Sequence, residues 1–545
     1  MTIRRAWLAA FVAAGLVSVH AAEVVTPTIP GDPVTVDGGQ VAGVVLSPQV
    51  HAYLGIPYAA PPVRDLRWRA PQPVIPWKGV LHAERPSPAC MQRRQSYMGN
   101  GYTGEEALSE DCLYLNVWTP AGARAGRKLP VIVYIYGGGF TGGSANRGDS
   151  DGAQMATRNV VFITINYRVG ALGFYASKEL AAESPRGTSG NWGMLDMVAS
   201  LQWVHRNVAK FGGDPDNVTI AGQSAGAQAV AMLQTSPLAH GLMQRVFAMS
   251  SARPSPYVIH DTEEQVERRL ASFSTTLGVS SLAELRALPA DRIVAAQLVF
   301  YDPNVDNNFF PEQPKATWEA GRQNDVPLML SFTRDEDTND LRRARTVADY
   351  KAAAQKMYGS SADEFLKLYP VSTDADVRTA GADAAREAGH FGSMMFWAAA
   401  QRKTGKAPVY LAEFSRVHPY VDGVKFAGAF DPKAAGAYHA SDIAYYFQNL
   451  DAFNRFRKTR QWTAWDRELS AKMADAVAAF AKTGSPNTPG STWPAWTDSS
   501  PQYIEFGDAV SVHTANKARI EFLWGQDSTP HHNKPFPVAR GPVGE

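Results

Sequence analysis

The chain lacks an excess of charge of either sign. Its 53 lysine and arginine residues nearly balance its 52 aspartate and glutamate residues, so the formal net charge is +1. Such a balance creates no field that would attract a nucleic acid or an anionic membrane, and we expect neither partner and no stable membrane association. Internal repeats and low-complexity tracts are also missing from the sequence.

Cysteine is scarce, and none lies near the N-terminal export signal that residues 1–21 predict. This segment has two arginines, then an apolar run, then a small-residue cleavage site, so we expect the mature chain to begin at Ala22. The lack of a cysteine at that site argues against a lipid anchor. We expect a periplasmic or extracellular protein, with the general and the twin-arginine export routes both open. In an exported chain, the two cysteines present suggest a disulfide bridge.

The strongest positive signal is the pentapeptide 222–226, which reads GQSAG. It follows the apolar run 217–221 and precedes the small-residue run 227–233, so it stands between a predicted strand and a predicted helix. This is the setting of a nucleophile elbow, where two glycines allow a turn too sharp for side chains and a serine hydroxyl is presented above the sheet. The sequence predicts a serine hydrolase with Ser224 as its nucleophile.

A serine hydroxyl is a weak nucleophile near neutral pH, so it needs a base, an orienting acid and hydrogen-bond donors for the oxyanion. The donors are indicated by residues 137–143, which read GGGFTGG directly after the apolar run 129–136. Glycines past a strand end let backbone N–H groups approach a ligand closely, together with the N–H of Ala225 after the nucleophile. A phosphate-binding loop is the alternative, but no Gly-Lys-Ser/Thr sequence follows.

The acid and the base should follow the nucleophile, with the acid first and a histidine second. Among the later histidines, His439 stands out because it lies in the small-residue loop 434–442, directly before an aromatic run. Three adjacent carboxylates at 335–337 follow the predicted strand 326–332. Residue chemistry alone leaves open which of the three carboxylates faces a histidine.

Further motifs, spread along almost the whole chain, carry a family resemblance. They are YLGIPYAAPPV at 53–63, EDCLYLNV at 110–117, INYRV at 165–169, GNWG at 190–193, FGGDP at 211–215, FAKTGSPN at 480–487 and WP at 493–494. With these motifs the sequence resembles the type-B carboxylesterases, the cholinesterase-like branch of the α/β-hydrolase fold, in a bacterial, secreted form.

The resemblance implies the catalytic residues one by one. The family's acid, which lies in an Asp-Glu-Gly motif, falls on Glu336, and its histidine falls on His439. The oxyanion donors fall on Gly138 and Gly139, joined by Ala225.

The sequence departs from the family pattern at three positions near the expected site. Asp337 and Ser331 replace glycines after and before the acid, so the local turn could differ. Gln223 stands beside the nucleophile, where the family usually has a glutamate.

The implied fold is α/β, with a large central, mostly parallel sheet, helices on both faces and helical cap insertions. Because the motifs run from residue 53 to residue 494, we expect one catalytic domain over 22–527 rather than several domains. We expect insertions near 262–308 and 340–402, and a proline-rich tail at 528–545.

The family joins its two corresponding cysteines, so the resemblance implies a Cys90–Cys112 bridge that closes a loop at the mouth of the site. In cholinesterases this loop carries a tryptophan that binds the quaternary ammonium group, and here it contains none. We therefore do not expect a choline-ester specialist. The candidate substrate-binding residues are Gln223, Phe140, Arg93 and Arg94.

The expected activity is hydrolysis of a small carboxylic ester, neutral or acidic, through an acyl-enzyme intermediate, with no metal or organic cofactor. Two alternatives stay open from the sequence. A non-catalytic cholinesterase-like adhesion protein would lack a complete triad, whereas a hydrolase of amides or thioesters would use the same residues.

Overall fold

The structure is a computed structural model that describes residues 28–94, 106–251, 261–296, 302–426, 431–432 and 434–526. The predicted export signal at 1–21 and the predicted tail at 528–545 lie outside the described residues.

The strands of the described residues are β1 (Val34–Val36), β2 (Gly39–Ala42), β3 (Val44–Ser47), β4 (Val50–Pro57), β5 (Val80–His82), β6 (Ala89–Cys90), β7 (Leu108–Ser109), β8 (Tyr114–Pro120), β9 (Leu129–Ile135), β10 (Val161–Ile165), β11 (Gly213–Gln223), β12 (Arg245–Met249), β13 (Leu328–Thr333), β14 (Val409–Phe414), β15 (Gln502–Phe506) and β16 (Val510–Thr514).

The α-helices of the described residues are α1 (Ala153–Ala156), α2 (Gly170–Phe174), α3 (Lys178–Glu183), α4 (Trp192–Asn207), α5 (Ala225–Thr235), α6 (Glu263–Leu270), α7 (Ser272–Leu277), α8 (Leu282–Ala287), α9 (Ala290–Ala296), α10 (Pro314–Glu319), α11 (Asp340–Arg343), α12 (Val347–Tyr358), α13 (Ala362–Leu368), α14 (Asp374–Ala388), α15 (His390–Thr404), α16 (Ile443–Tyr446), α17 (Ala464–Thr483) and α18 (Lys517–Gln526). No helix in this part of the chain has the length and apolar character that crossing a membrane requires.

A sheet of eleven strands forms the centre of the fold, in the order β16-β15-β14-β13-β12-β11-β9-β10-β8-β4-β3. The seven strands from β15 to β10 in this order pair in parallel, and the pairs toward both edges are antiparallel. The predicted large, mostly parallel sheet is confirmed.

The middle strands are buried along their whole length. All seven residues of β9 and all five of β10 are buried, and both strands are mainly apolar. A parallel strand reads as a continuous apolar run when its two faces are both covered, which is why these segments do not alternate between polar and apolar residues.

The parallel register brings the C-terminal ends of strands β11, β12 and β13 to one edge of the sheet. Gln223 at the end of β11 pairs with Met249 of β12, and Met249 pairs with Ser331 of β13. Because parallel strands end at the same edge, the segment after β11 and the segment after β13 emerge side by side.

Both segments that we predicted as insertions are rich in helices. Helices α6 to α9 lie within 262–308, and α11 to α14 lie within 340–402. The second segment has an apolar cluster of its own, which α18 completes and which includes Tyr350, Phe365, Tyr369 and Phe522. Helix α15, by contrast, contacts β13 and β14 and therefore belongs to the layer of helices on the sheet.

A disulfide joins Cys90 and Cys112, with sulfur atoms 2.06 Å apart, as the family resemblance implied. Both cysteines are buried. Residues 95–105 of the loop that this bridge closes lie outside the described residues.

Candidate active site

Ser224 occupies a sharp turn between strand β11 and helix α5. Its backbone has φ 58° and ψ −124°, a conformation that a residue with a side chain adopts only when its surroundings impose it. The Ser224 N–H donates to the carbonyl of Met249 on β12 at 2.9 Å, which ties the turn to the neighbouring strand. Ser224 is half-buried, whereas the residues on both sides of it are buried, so its side chain is on the accessible side of the turn.

The glycines at both ends of the pentapeptide are required by close backbone contacts. A Cβ atom on Gly222 would lie 2.3 Å from the carbonyl oxygen of Gly226, and one on Gly226 would lie 2.0 Å from that of Ile135. These distances are far below van der Waals contact, so no side chain fits at either position.

The triple-glycine loop packs directly against this turn. A Cβ on Gly137 would lie 2.8 Å from the Cβ of Ser224, and Gly138 and Gly139 have φ of +124° and +62°. Gly139 is exposed and Gly138 half-buried, so their backbone borders open space beside the serine. Helix α5 begins at Ala225, and the first N–H groups of a helix have no partner within the helix.

The three adjacent carboxylates after β13 point in three directions. Asp335 accepts hydrogen bonds from the Ala437 N–H at 2.8 Å and from Arg342 at 2.9 Å. Glu336 faces His439, and Asp337 faces His390. The structure thus separates the three carboxylates that the sequence left equivalent.

Glu336 is fully buried, and its Oε2 lies 2.5 Å from Nδ1 of His439. Its Oε1 accepts the N–H of Thr333 at 2.8 Å. Burial by itself raises the pKa of the Glu336 carboxyl, but the charge of His390 and the hydrogen bonds from His439 and Thr333 outweigh burial and hold that pKa below its ordinary value. Glu336 is therefore ionised and hydrogen-bonded to the histidine through a single oxygen.

The other ring nitrogen of His439 faces the elbow. With Nδ1 donating to Glu336, Nε2 carries the lone pair, and the side-chain amide nitrogen of Gln223 lies 3.2 Å from it. The residue directly before Ser224 thus contacts the nitrogen that a general base would use.

A second buried histidine supports the loop that carries His439. His418 lies 2.9 Å from the carbonyl oxygen of Ser441 through Nε2 and 3.2 Å from the Tyr438 hydroxyl through Nδ1. Burial and the charge of Arg460 lower the pKa of His418 to about 3, so this ring is neutral. These contacts hold the segment on both sides of His439.

Comparison with known proteins now identifies the family. The family model described as "Carboxylesterase family" matches residues 31–523. The chain belongs to this family. Fumonisin B1 esterase of Sphingopyxis macrogoltabida is 33% identical to it over 471 residues, which covers 85% of this chain and 84% of that protein. Para-nitrobenzyl esterase of Bacillus subtilis (strain 168) is 31% identical over 505 residues, covering 88% and 95%.

A solved structure of a PNB esterase is similar throughout, with a TM-score of 0.73 at 30% identity, and covers 90% of this chain and 98% of that one. The protein is therefore a carboxylic ester hydrolase with an α/β fold, and it acts on small esters.

The candidate substrate-binding residues of this carboxylesterase fall into two groups. Phe140 is buried, packs edge-on against Phe174 at 5.3 Å between ring centroids, and follows the triple glycine. Arg93 and Arg94 are exposed, and they donate to main-chain carbonyls of residues 294, 295 and 106. The structure thus gives both arginines main-chain partners, and Gln223 is the candidate that contacts the Glu336–His439 pair.

Two buried residues near Glu336, Asp442 and His390, were not identified as site residues from the sequence. Asp442 accepts a hydrogen bond from the Ser331 hydroxyl at 3.2 Å, and burial, with the charge of Glu336, raises the pKa of Asp442 to about 7. His390 pairs with Asp337. The sequence did contain a signal for both groups. Ser331 and Asp337 replace glycines of the family pattern, and a buried polar side chain at either position needs a polar partner.

Glu336, His390 and His439 each offer an atom within 4.8 Å of the others, a spacing that a metal ion could bridge. However, both oxygens of Glu336 and the Nδ1 atoms of both histidines already have hydrogen-bond partners. Hydrogen bonding accounts for the cluster, and we do not assign these residues as metal ligands.

Glu336→Gln is expected to reduce kcat by roughly 10³- to 10⁴-fold, because an amide cannot stabilise a His439 imidazolium and can select the wrong tautomer. Asp335→Asn is the matched control. It removes the neighbouring charge but leaves the Glu336–His439 pair, so we expect a loss of less than about tenfold in kcat and a lower melting temperature. Steady-state kinetics and thermal melts of both variants measure this, and a larger loss of kcat in Asp335→Asn would contradict the assignment.

Proposed function

We propose that this esterase cleaves its substrate with a Ser224–His439–Glu336 triad. The observation that carries the proposal is the 2.5 Å contact between Glu336 and His439, with the Nε2 face of the same ring turned toward the elbow. A buried, ionised carboxylate on Nδ1 orients the imidazole and stabilises its charged form, which is the role of the acid in such triads.

The reaction begins when the Ser224 hydroxyl attacks the ester carbonyl and His439 takes its proton at Nε2. The tetrahedral oxyanion accepts hydrogen bonds from the backbone N–H groups of Gly138, Gly139 and Ala225. His439 then protonates the leaving alcohol, and a water molecule attacks the acyl-enzyme by the same route. Gln223 must give up its contact with Nε2 when the serine hydroxyl approaches.

Ser224→Ala is expected to lower kcat by about 10⁴-fold or more while the protein stays folded, because the covalent step is lost. An organophosphonate should label the wild type and leave Ser224→Ala unlabelled, as intact-mass spectrometry would show. Ser280→Ala, which changes an exposed serine, is the control and should keep both activity and labelling. Labelling of Ser224→Ala at another serine would exclude Ser224 as the nucleophile.

The substrates that we propose are esters of neutral or acidic acyl groups rather than choline esters. A glutamate at position 223 would place a negative charge beside His439, where it would favour a cationic substrate, and this chain has a neutral amide there. Gln223 is 3% exposed, so little water screens a charge at this position.

Gln223→Glu is expected to raise the ratio of kcat/KM for a cationic over an anionic ester by roughly five- to tenfold, going by charges about 8 Å apart in a partly desolvated site. A suitable series is three phenyl esters whose acyl chains end in a carboxylate, a methyl or a trimethylammonium group. Gln202→Glu adds the same charge at an exposed position of α4 and should leave the ratio unchanged. An unchanged ratio in Gln223→Glu, or a wild type that prefers the cationic ester, would refute the proposal.

We also propose that the protein is exported and that residues 1–21 are removed in the process. The support is the order of arginines, apolar run and small-residue site in the sequence, together with a disulfide, which persists in oxidising compartments. N-terminal sequencing of protein from the periplasm or medium should begin at Ala22. Recovery of the protein with its first 21 residues in the reducing cell interior would contradict export.

A further inference from the structure

A second carboxylate–imidazole pair lies directly behind the proposed triad. Asp337 Oδ1 lies 2.7 Å from Nδ1 of His390, and Asp337 Oδ2 accepts the backbone N–H of His390 at 2.9 Å. Both oxygens of this carboxylate are therefore used by one residue, the first of helix α15. His390 is 1% exposed and Asp337 is 2% exposed.

The observed arrangement of this pair requires a glycine directly before helix α15. A Cβ on Gly389, just before the helix, would lie 2.1 Å from the carboxyl carbon of Asp337. The glycine therefore lets the carboxylate sit against the start of α15, where a negative charge is also favoured by the helix dipole. Residues 337, 389 and 390 thus depend on one another: the carboxylate binds the histidine, and the glycine leaves space for the carboxylate.

His390 turns its free nitrogen toward the triad. Its Nε2 lies 3.9 Å from Oε2 of Glu336, the oxygen that also contacts His439, and the two imidazole rings have centroids 5.4 Å apart. Within the residues that the structure describes, this Nε2 has no hydrogen-bond partner. The negatively charged group that this nitrogen faces is the buried carboxylate of Glu336.

The two carboxylates on opposite sides of the ring select its charged form. Asp337 faces Nδ1 and Glu336 faces Nε2. Either neutral tautomer would point a lone pair at one of these negative charges, whereas the imidazolium presents an N–H to each. Burial lowers the pKa of His390, but Asp337 and Glu336 outweigh it and raise that pKa to about 9.

No other cation among the described residues takes over this role. On the helices that contact α15, Arg386 pairs with Glu387 and Glu413, Arg519 with Glu387 and Asp383, Lys517 with Glu521, and Lys315 with Glu319. Arg402 of α15 donates to the carbonyls of Lys406 and Ala407, and Arg378 and Lys403 are exposed. Beyond them, the titratable groups beside Glu336 are His439 and Asp442.

We propose that His390, held as a cation by Asp337, is a positioning residue that fixes the Glu336 carboxylate and extends the activity of the enzyme toward acidic pH. This rests on the proposed triad. The His390 and His439 rings have centroids 5.4 Å apart, so a positive charge on His390 opposes a second positive charge on the neighbouring ring, and we expect activity to persist to lower pH. The same charge on His390 also makes the His439 imidazolium of the transition state less stable, which is the cost of this arrangement for the rate.

His390→Gln and Asp337→Asn test this with the full-length enzyme. The first removes the cation, and the second is isosteric and removes the group that keeps the cation charged. In both variants we expect the acidic limb of the pH profile of kcat/KM to move upward by roughly 0.6 to 2.4 pH units, the effect of one charge about 5 Å away at effective dielectric constants of 80 to 20. The shift should be larger in His390→Gln, which leaves Asp337 unneutralised.

The profile is measured with p-nitrophenyl acetate at the isosbestic wavelength of the released phenol. His51→Gln is the matched control, because it removes a buried histidine on β4, away from the site, whose pKa burial lowers; it should leave the acidic limb in place. An unmoved or lowered acidic limb in Asp337→Asn, or an equal shift in His51→Gln, would overturn the proposal. Full activity of Ser224→Ala or Glu336→Gln would instead overturn the triad, which keeps the two failures distinct.

Thermal stability gives a second readout of the charge on His390. Because its pKa is raised in the folded state, the stabilisation it provides is complete below the unfolded value near 6.5 and is lost as pH rises through about 9. The difference in melting temperature between wild type and His390→Gln should therefore shrink between pH 6.5 and pH 9. A difference that stays constant over this range would mean that His390 is neutral in the folded protein, contrary to the proposal.

Discussion

The rest of the site depends on keeping one carboxylate ionised where water does not reach it. Glu336 is fully buried, and burial alone would favour its neutral form. The protein surrounds it with an N–H from Thr333, the ring of His439 and the charged ring of His390. A buried charge is stable only when such partners are in place, so the ends of several strands and helices must meet around this residue.

The parallel sheet is what makes that meeting possible. Strands β11 and β13 lie on either side of β12, and all three end at the same edge, so the turn at Ser224 and the loop with Glu336 are held by hydrogen-bonded neighbours. The histidine comes from a loop between β14 and β15, two strands that continue the same sheet. Side chains placed on adjacent rigid strands need little reorganisation during the reaction, and this favours electrostatic stabilisation of the transition state.

Position 337 shows how one substitution changes the neighbourhood of an active site. Where the family has glycine, this chain has an aspartate that is buried and that therefore requires a cation or several donors. The structure supplies both from His390, through its ring and its backbone N–H, and the absence of a side chain at Gly389 makes the space. Ser331 follows the same logic, since its hydroxyl donates to the buried Asp442.

Local sequence was sufficient for the elements and for part of the site. The apolar runs 129–136 and 326–332 became β9 and β13 within two residues at each end, because strands buried on both faces need continuous apolar sequence. The sharp turn at Ser224 was predictable because only glycine tolerates the close backbone contacts at positions 222 and 226, so the two glycines of the pentapeptide indicate that turn. Motif order along the chain then indicated the family and the ester hydrolase activity.

Tertiary structure alone decided which long-range pairs form. The three carboxylates at 335–337 are chemically alike, and their partners at 437, 439 and 390 lie far away in sequence, so no local pattern distinguishes them. The same holds for Arg93 and Arg94, whose predicted place near substrate depended on the course of a loop and whose observed partners are main-chain carbonyls. Sequence determined which chemistry was present, because residue types and turn requirements are local; the fold decided which groups meet, because burial and charge pairing depend on neighbours that only the folded chain brings together.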